Sequence, residues 1–126
     1  MTALGIWATD DPHSFEDHKI NMEIVRALVY AGANVNESDP HNGWTPIMIA
    51  VSHSYTEIVK LLLYKGADVN KRDINGMTAL MIAVIANDRD NSGLVKLLLV
   101  NRADPNAMNI AGIRTLALVH HVISIY

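Results

Sequence analysis

The chain has 126 residues, half of them apolar, a net charge of −3 and no cysteine. This length predicts a single domain, 1–126, with enough apolar material for a sizeable core. The lack of cysteine excludes disulfides and thiolate-bound metals, and a mild charge without a basic stripe argues against a nucleic-acid partner. No apolar run approaches the ~18 residues of a membrane span and no signal peptide is recognisable, so we expect a cytoplasmic protein with no membrane contact.

The first unit begins with Met-Thr-Ala-Leu at 1–4, which recurs at 77–80 and predicts the start of a helix. An acidic segment follows at 9–19, where a proline ends that helix and gives a polar excursion. A second helix is predicted at about 22–31, and Gly32 supplies the left-handed residue that closes it. The apolar face of this helix holds Ile24, Ala27, Leu28 and Ala31.

The acidic segment contains two histidines, which raises the question of a metal site. Zinc and calcium need ligands that converge at a fixed spacing, and the segment shows no recognised spacing. The adjacent His120 and His121 are predicted to point their rings in different directions on a helix. We therefore predict a solvated loop, without a metal, around His13, His18, Asp10, Asp11, Glu16 and Asp17.

The second unit, 37–70, has the most regular pattern. Thr45 is predicted to cap its first helix, and Pro46 to occupy the first turn, where no amide donor is lost. Ile-Val-Lys-Leu-Leu-Leu at 58–63 predicts an amphipathic second helix. The closing phrase Gly-Ala-Asp-Val-Asn at 66–70 predicts the turn that leads into the next unit.

The third unit, 71–106, follows the same plan, and three extra residues within 87–91 predict a longer, charged turn between its helices. Two earlier phrases return in it: 43–50 returns 33 residues later at 76–83, and 58–63 returns 36 residues later at 94–99, beyond the extra residues. A partial fourth unit, 107–126, ends in a helix that is apolar almost all round, and such a helix must be buried. We expect a second copy of the chain, a swapped segment or neighbouring repeats of a longer protein to cover it.

This repetition resembles the ankyrin repeat, whose signature is Thr-Pro-Leu-His-x-Ala followed by an amphipathic helix and a Gly-Ala-Asp-Val-Asn-like turn. The resemblance covers nearly all of the chain and is most specific in the second and third units. It implies an all-α solenoid of helix-turn-helix pairs joined by short β-hairpin loops. Its repeats are expected at about 1–36, 37–70 and 71–106, with a partial repeat at 107–126.

One departure from the family concerns Met48 and Met81, which stand where the family usually has a histidine that bonds the neighbouring loop. Methionine cannot donate that bond, so less firmly tied hairpins are expected. Core filling is the favoured interpretation of the two side chains. The alternative is that these adaptable thioethers suit a partner surface.

The resemblance implies a module that binds a protein partner through its hairpin tips and the concave face of its first helices, without a cofactor. Nucleophile, phosphate-loop and dinucleotide-binding motifs are missing, which argues against an enzyme. The alternative function is a structural module of a longer array whose ends mediate self-association. The candidate contact residues are His41, Asn42, Ile74 and Asn75 at the tips, and Ser52, His53 and Ile85 on the inner face.

Three apolar residues at matching positions, Trp44, Met77 and Ile113, are predicted to line up along the tips one repeat apart. A contiguous apolar row marks an interaction surface, and tryptophan is enriched at interface hot spots. The alternative is that each residue packs against its own hairpin, and the sequence leaves both interpretations open. On the first of them, Trp44→Ala weakens partner binding with little loss of stability.

Overall fold

The computed structural model describes residues 15–85 and 91–115, with side chains from Glu23 onward. Within these ranges every regular element is an α-helix, and an isolated antiparallel bridge joins Met108 to Arg114. The predicted all-α fold is confirmed. This part of the chain forms five helices: α1 (Phe15–Tyr30), α2 (Pro46–Ser52), α3 (Thr56–Tyr64), α4 (Ala79–Ile85) and α5 (Ser92–Val100).

The helices pair within each unit and stack from one unit to the next. α2 packs against α3 in the second unit and α4 against α5 in the third, while α2 contacts α4 and α1 contacts α3 between units. We call the layer with α2 and α4 the inner layer, and the layer with the second helices α1, α3 and α5 the outer layer. Helices of seven to nine residues, such as α2 to α5, are marginal in isolation, so packing supplies their stability.

The hydrophobic core lies between the two layers. Most residues of α2 and α4 are buried, because each of these helices contacts a second helix and its neighbour in the inner layer. α3 and α5 each bury one face, which is centred on Leu62 in α3 and on Leu98 in α5. Met48 and Met81 are both 0% exposed, so their side chains fill the core, as the favoured interpretation of the sequence predicted.

Thr45 has a different environment from its counterpart in the next unit. It lies at the N-cap of α2, yet it makes no side-chain capping bond, and its Oγ1 is buried without a hydrogen-bond partner. The equivalent Thr78 accepts a 3.3 Å bond from the backbone N–H of Met81. The predicted side-chain cap at Thr45 is therefore wrong, whereas the predicted place of Pro46 in the first turn is confirmed.

The hairpins between units bond to one another through their backbones. The N–H of Ile74 donates to the carbonyl of Asn42, and the N–H of Ile110 donates to that of Asn75, both at 3.0 Å. Gly43 permits this approach, since its φ is +76° and a Cβ there would lie 2.9 Å from the nitrogen of Ile74. Successive tips are therefore held in register, one repeat apart.

Asparagine side chains add a second set of bonds between units, near the ends of the outer helices. Oδ1 of Asn36 accepts a 2.6 Å bond from the N–H of Asp68, and its Nδ2 donates to the carbonyl of Gly66 at 3.1 Å. Asn70 makes the equivalent bonds to the following unit, at 2.7 and 2.9 Å. Because each amide satisfies two backbone groups of the next unit, these residues fix the register of stacking.

α1 differs from its prediction in both extent and orientation. It begins at Phe15 rather than near residue 22, so the later part of the predicted excursion 9–19 is helical. It buries Val25 and Val29, whereas the residues outside that face are exposed: Ile24, Ala27 and Ala31. Apolar residues fill both faces at helical spacing, and packing against α3 selects the one with Val25. Gly32 follows the helix with a φ of +93°, as predicted.

Several sequence-based predictions fall outside the described residues. They concern the helix at the start of the first unit, the loop around His13, the part 87–90 of the predicted longer turn at 87–91, and the apolar segment 116–126. The proposed boundaries of the four units also stay predictions.

Candidate interaction surface

Each hairpin is organised by an Asp or Asn side chain at its start. Oδ1 of Asp73 accepts 2.8 Å bonds from the backbone N–H groups of Asn75 and Met77. Asn109 makes the equivalent pair of bonds in the following hairpin, both at 3.0 Å. These residue types favour turns because their short side chains can bond the backbone two residues on. The tip residues are thereby held in one conformation.

Asp39 starts the first described hairpin in the same way. Its Oδ1 accepts bonds from the N–H groups of His41, at 2.7 Å, and Asn42, at 3.4 Å. The bond from His41 contributes most to a pKa of Asp39 below its ordinary value of 3.8, because it favours the charged carboxylate. The side chains of His41 and Asn42 are themselves exposed, as a contact at the tip requires.

Trp44 and Met77 lie between successive hairpins rather than at their tips. Trp44 is half-buried against the core, and its indole N–H donates a 3.0 Å bond to Oδ2 of Asp73. Met77 is also half-buried, and its Sδ accepts a 3.6 Å bond from Nδ2 of Asn109. Ile113 is 40% exposed. Trp44 and Met77 thus contact the following hairpin. Partner binding by the row of Trp44, Met77 and Ile113 stays a prediction.

The apolar side chains that project from the tips are Ile74 and Ile110, which are 64% and 74% exposed. They occupy matching positions, in Asp-Ile-Asn-Gly at 73–76 and Asn-Ile-Ala-Gly at 109–112. The sequence-based candidates include Ile74 and the exposed Asn75 but omit Ile110. The signal for Ile110 is present in the sequence, because the two tip phrases are copies of each other.

Ser52 and His53 form a polar group at the end of α2. Oγ of Ser52 donates a 2.7 Å bond to the carbonyl of Ile49, and Nδ1 of His53 lies 3.0 Å from the same oxygen. A carbonyl only accepts, so Nδ1 is the donor in this contact. The ring stacks on Tyr55, with 5.2 Å between centroids and 24° between planes. Sequence reasoning missed Tyr55, because this contact depends on the turn after α2.

The end of α4 carries Ile85, which is 43% exposed, and α4 lies beside α2 in the inner layer. A bridge of hydrogen bonds connects the two units near these ends. Ser54, at a φ of +57°, donates a 2.9 Å bond to Oδ1 of Asn91, whose Nδ2 donates to the carbonyl of Ala83 at 3.1 Å. The turn after α2 is thus tied to the start of α5.

Two kinds of site are not found in the part of the chain that the structure describes. Among the described side chains, at 23–85 and 91–115, histidine and acidic residues are not grouped so that they could hold a metal ion. None of the helices in the described part of the chain is long and apolar enough to cross a bilayer. What the tips and the inner layer offer instead is exposed apolar side chains beside amides, hydroxyls and an imidazole.

Comparison with known proteins identifies one family. A family model described as ankyrin repeats, in three copies, matches residues 16–109. The matched range runs from the first turn of α1 to the hairpin that begins at Asn109. No curated protein matches the chain.

Proposed function

Because the chain belongs to the ankyrin-repeat family, whose members generally mediate protein–protein interaction, we propose that it binds a protein partner through its hairpin tips and the concave face of its first helices. The module acts without catalysis or a cofactor, and its proposed setting is the cytoplasm. The proposed contact residues are His41, Asn42, Ile74 and Asn75 at the tips, the row of Trp44, Met77 and Ile113 within the hairpins, and Ser52, His53 and Ile85 on the inner face.

The observation that supports this proposal most directly is the exposure of Ile74 and Ile110 on two bonded hairpins. Isolated exposed apolar residues are common on protein surfaces and need no explanation. Here the same residue is exposed at the same position of successive units, at a spacing that backbone hydrogen bonds maintain. A periodic apolar contact suits a partner that extends along the stack.

The rigidity of the hairpins lowers the entropic cost of binding. Loops and side chains that become ordered at an interface oppose binding, by about 0.5–1.5 kcal/mol for each rotamer-rich side chain. The turns around Asp73 and Asn109 are already ordered by side-chain bonds to the backbone before a partner arrives. Little additional ordering is required at the tips.

The inner layer adds polar specificity beside the apolar tips. The contact of Nδ1 with the carbonyl of Ile49 orients the ring of His53, and Tyr55 stacks on its face. Tyrosine and histidine rings can pack against a partner while bonding to its polar groups. In this proposal the tips supply apolar anchors, and the end of α2 selects the orientation of the partner.

The alternative, self-association through the ends of the array, is supported by the apolar pattern of 116–126 in the sequence. Analytical ultracentrifugation separates the two proposals. A monomer over the micromolar range contradicts self-association and leaves partner binding standing.

A selection experiment tests the proposed surface. Peptides are selected from a random library against the whole chain, and their affinities are then measured by isothermal titration calorimetry. We expect Ile74→Ser with Ile110→Ser to weaken these peptides by about tenfold or more, since buried apolar anchors dominate interface energies. The matched control is Ile24→Ser, at an apolar residue of the outer layer that is 47% exposed and belongs to neither the tips nor the inner face. Peptides that bind the tip variant and the wild type equally well would contradict the proposal.

A further inference from the structure

The outer layer carries two rows of exposed side chains that the proposed function does not use. Each of its helices has a cation at the matching exposed position: Arg26 in α1, Lys60 in α3 and Lys96 in α5. Four residues later each has a large aromatic or apolar side chain, and these are 66%, 81% and 82% exposed: Tyr30, Tyr64 and Val100. Residues four apart lie on the same side of a helix, so the two rows run next to each other across the units.

Lys65 joins the two aromatic residues into one cluster. Its ammonium lies 4.4 Å from the ring centre of Tyr30 and 5.5 Å from that of Tyr64. An ammonium group is attracted to the face of an aromatic ring, so this contact connects α1 to α3 at the surface. Lys65 is exposed, and an ammonium group has three N–H donors. A carboxylate from outside can therefore bond the same ammonium.

The face is positively charged in a chain whose net charge is −3. Lys60 pairs with Glu57 at 3.3 Å, and both side chains are more than half exposed, which makes the pair weak. Gly93 takes the place of Glu57 in α5, and Lys96 has no ion-pair partner among the described residues. Among the described side chains of this face, four cations, including Lys65, stand against the two carboxylates of Glu23 and Glu57.

We propose that this outer face, made of the cation row, Lys65 and the exposed Tyr30, Tyr64 and Val100, binds an acidic segment of a partner protein. Complementary charge selects a segment rich in carboxylates, and the exposed rings select apolar side chains between them. The site is separate from the hairpin tips and uses none of their contact residues.

The repeat spacing indicates how such a segment is built. Neighbouring helices pack about 8–10 Å apart, and an extended chain advances about 3.3 Å per residue. A carboxylate at about every third residue of an extended segment therefore follows the cations from one unit to the next. Residues between the carboxylates fall beside the row that contains Tyr64.

A pair of synthetic peptides tests this proposal. One is a labelled peptide with glutamate at every third position and leucine and serine between, and the other has glutamine in place of glutamate. Fluorescence anisotropy measures their binding to the whole chain. We expect the glutamate peptide to bind about tenfold more tightly, with an affinity that falls as salt rises, since several exposed charge pairs contribute. Equal affinity of the two peptides, or binding of neither, would overturn the proposal.

Substitutions then locate the binding face. Lys60→Gln with Lys96→Gln changes only exposed cations, and we expect it to weaken the glutamate peptide about three- to tenfold. Tyr64→Ser is expected to have an effect of similar size through the ring. The double tip variant Ile74→Ser with Ile110→Ser is the control, and it should bind the glutamate peptide as the wild type does.

Two results would place the binding elsewhere or assign the face to another partner. If the double lysine variant retains full affinity for the glutamate peptide, the outer face is not the site. Phosphatidylcholine vesicles that contain phosphatidylserine provide an additional arm of the experiment. If the chain sediments with these vesicles and does not bind the glutamate peptide, the face recognises an anionic lipid surface, and the proposal of a protein partner is wrong.

Discussion

The indole N–H of Trp44 donates a 3.0 Å hydrogen bond to Oδ2 of Asp73, a residue of the following hairpin. The equivalent pair one unit on is Met77 and Asn109, with 3.6 Å between Sδ and Nδ2. In the first pair the residue at the hairpin start accepts, and in the second pair it donates. Each hairpin start thus matches the chemistry of the side chain that packs on it, and this contact couples neighbouring units directly.

We expect the Trp44–Asp73 pair to tolerate replacement by the residue types of the Met77–Asn109 pair when both residues are changed together. Trp44→Met removes the indole donor from Asp73, and Asp73→Asn places an amide donor against the indole N–H. Each single change is expected to lower the free energy of unfolding by about 1–2 kcal/mol. The double variant copies the Met77–Asn109 pair, and we expect it to be more stable than the sum of the single losses by about 0.5–1 kcal/mol. Urea denaturation of the four proteins measures this coupling, and strictly additive losses would contradict it.

The position of Trp44 also changes the expected effect of Trp44→Ala. Sequence reasoning predicts little loss of stability, but the side chain is half-buried and hydrogen-bonded. We now expect a loss of about 2–3 kcal/mol, somewhat less than for a fully buried aromatic residue. A melting temperature equal to that of the wild type would show that this contact contributes nothing. Trp44→Phe, which keeps the apolar contact, is the better variant for testing partner binding by this residue.

The two threonines at matching N-caps give opposite predictions for the same substitution. Oγ1 of Thr45 is buried without a partner, so Thr45→Val removes an unsatisfied polar group and is expected to stabilise by about 1 kcal/mol. Thr78→Val removes the bond to the N–H of Met81 and is expected to destabilise by about 1 kcal/mol. Thermal and urea unfolding of both variants provide the comparison. Destabilisation of similar size at both positions would show that Thr45 does find a partner.

Two glycines with positive φ separate backbone strain from close packing. Gly32 and Gly43 have φ angles of +93° and +76°, so alanine is strained at either position, by about 1–2 kcal/mol. At Gly32 the added Cβ has no neighbour within 4 Å, whereas at Gly43 it would lie 2.9 Å from the nitrogen of Ile74. We expect Gly43→Ala to be clearly more destabilising than Gly32→Ala, because it also forces two hairpins apart. Equal losses in urea denaturation would argue against tight stacking of the hairpins.

The lowered pKa of Asp39 predicts a small loss of stability in acid. The N–H of His41, followed by that of Asn42, bonds the charged carboxylate, so the pKa of the folded chain lies below 3.8. Such a contribution is complete above the unfolded pKa, and it is lost as the pH falls from about 3.8 through the lower folded pKa. Asp39→Asn keeps an acceptor but does not titrate. We expect the stability advantage of the wild type over this variant to be constant above about pH 5 and to shrink as the pH falls from about 3.8 to 3, as thermal unfolding would show. An advantage that stays constant over that range would exclude a role for Asp39 ionisation.

The candidate surface was only partly accessible from the sequence. The repeated phrases place Ile74 and, by the same pattern, Ile110 at hairpin tips, and the matching positions of Tyr30 and Tyr64 are visible as well. The exposure of these side chains could not be predicted in this way, because it depends on which neighbours cover each side chain. Trp44 occupies a tip position by alignment, yet it is half-buried, since the following hairpin contacts it.

The repeat period, the helix pairs and the glycines that close the turns follow from local patterns, in which each residue type favours its own backbone conformation or face. Those features could therefore be predicted from the amino-acid sequence alone. The buried face of α1, the bond from Trp44 to Asp73 and the position of Lys65 between Tyr30 and Tyr64 could not. Each of these features joins residues of different units. Side-chain contacts extend over only a few ångströms, so they form only when the helices have docked in a particular register. Sequence patterns report on neighbours along the chain and therefore do not reveal them.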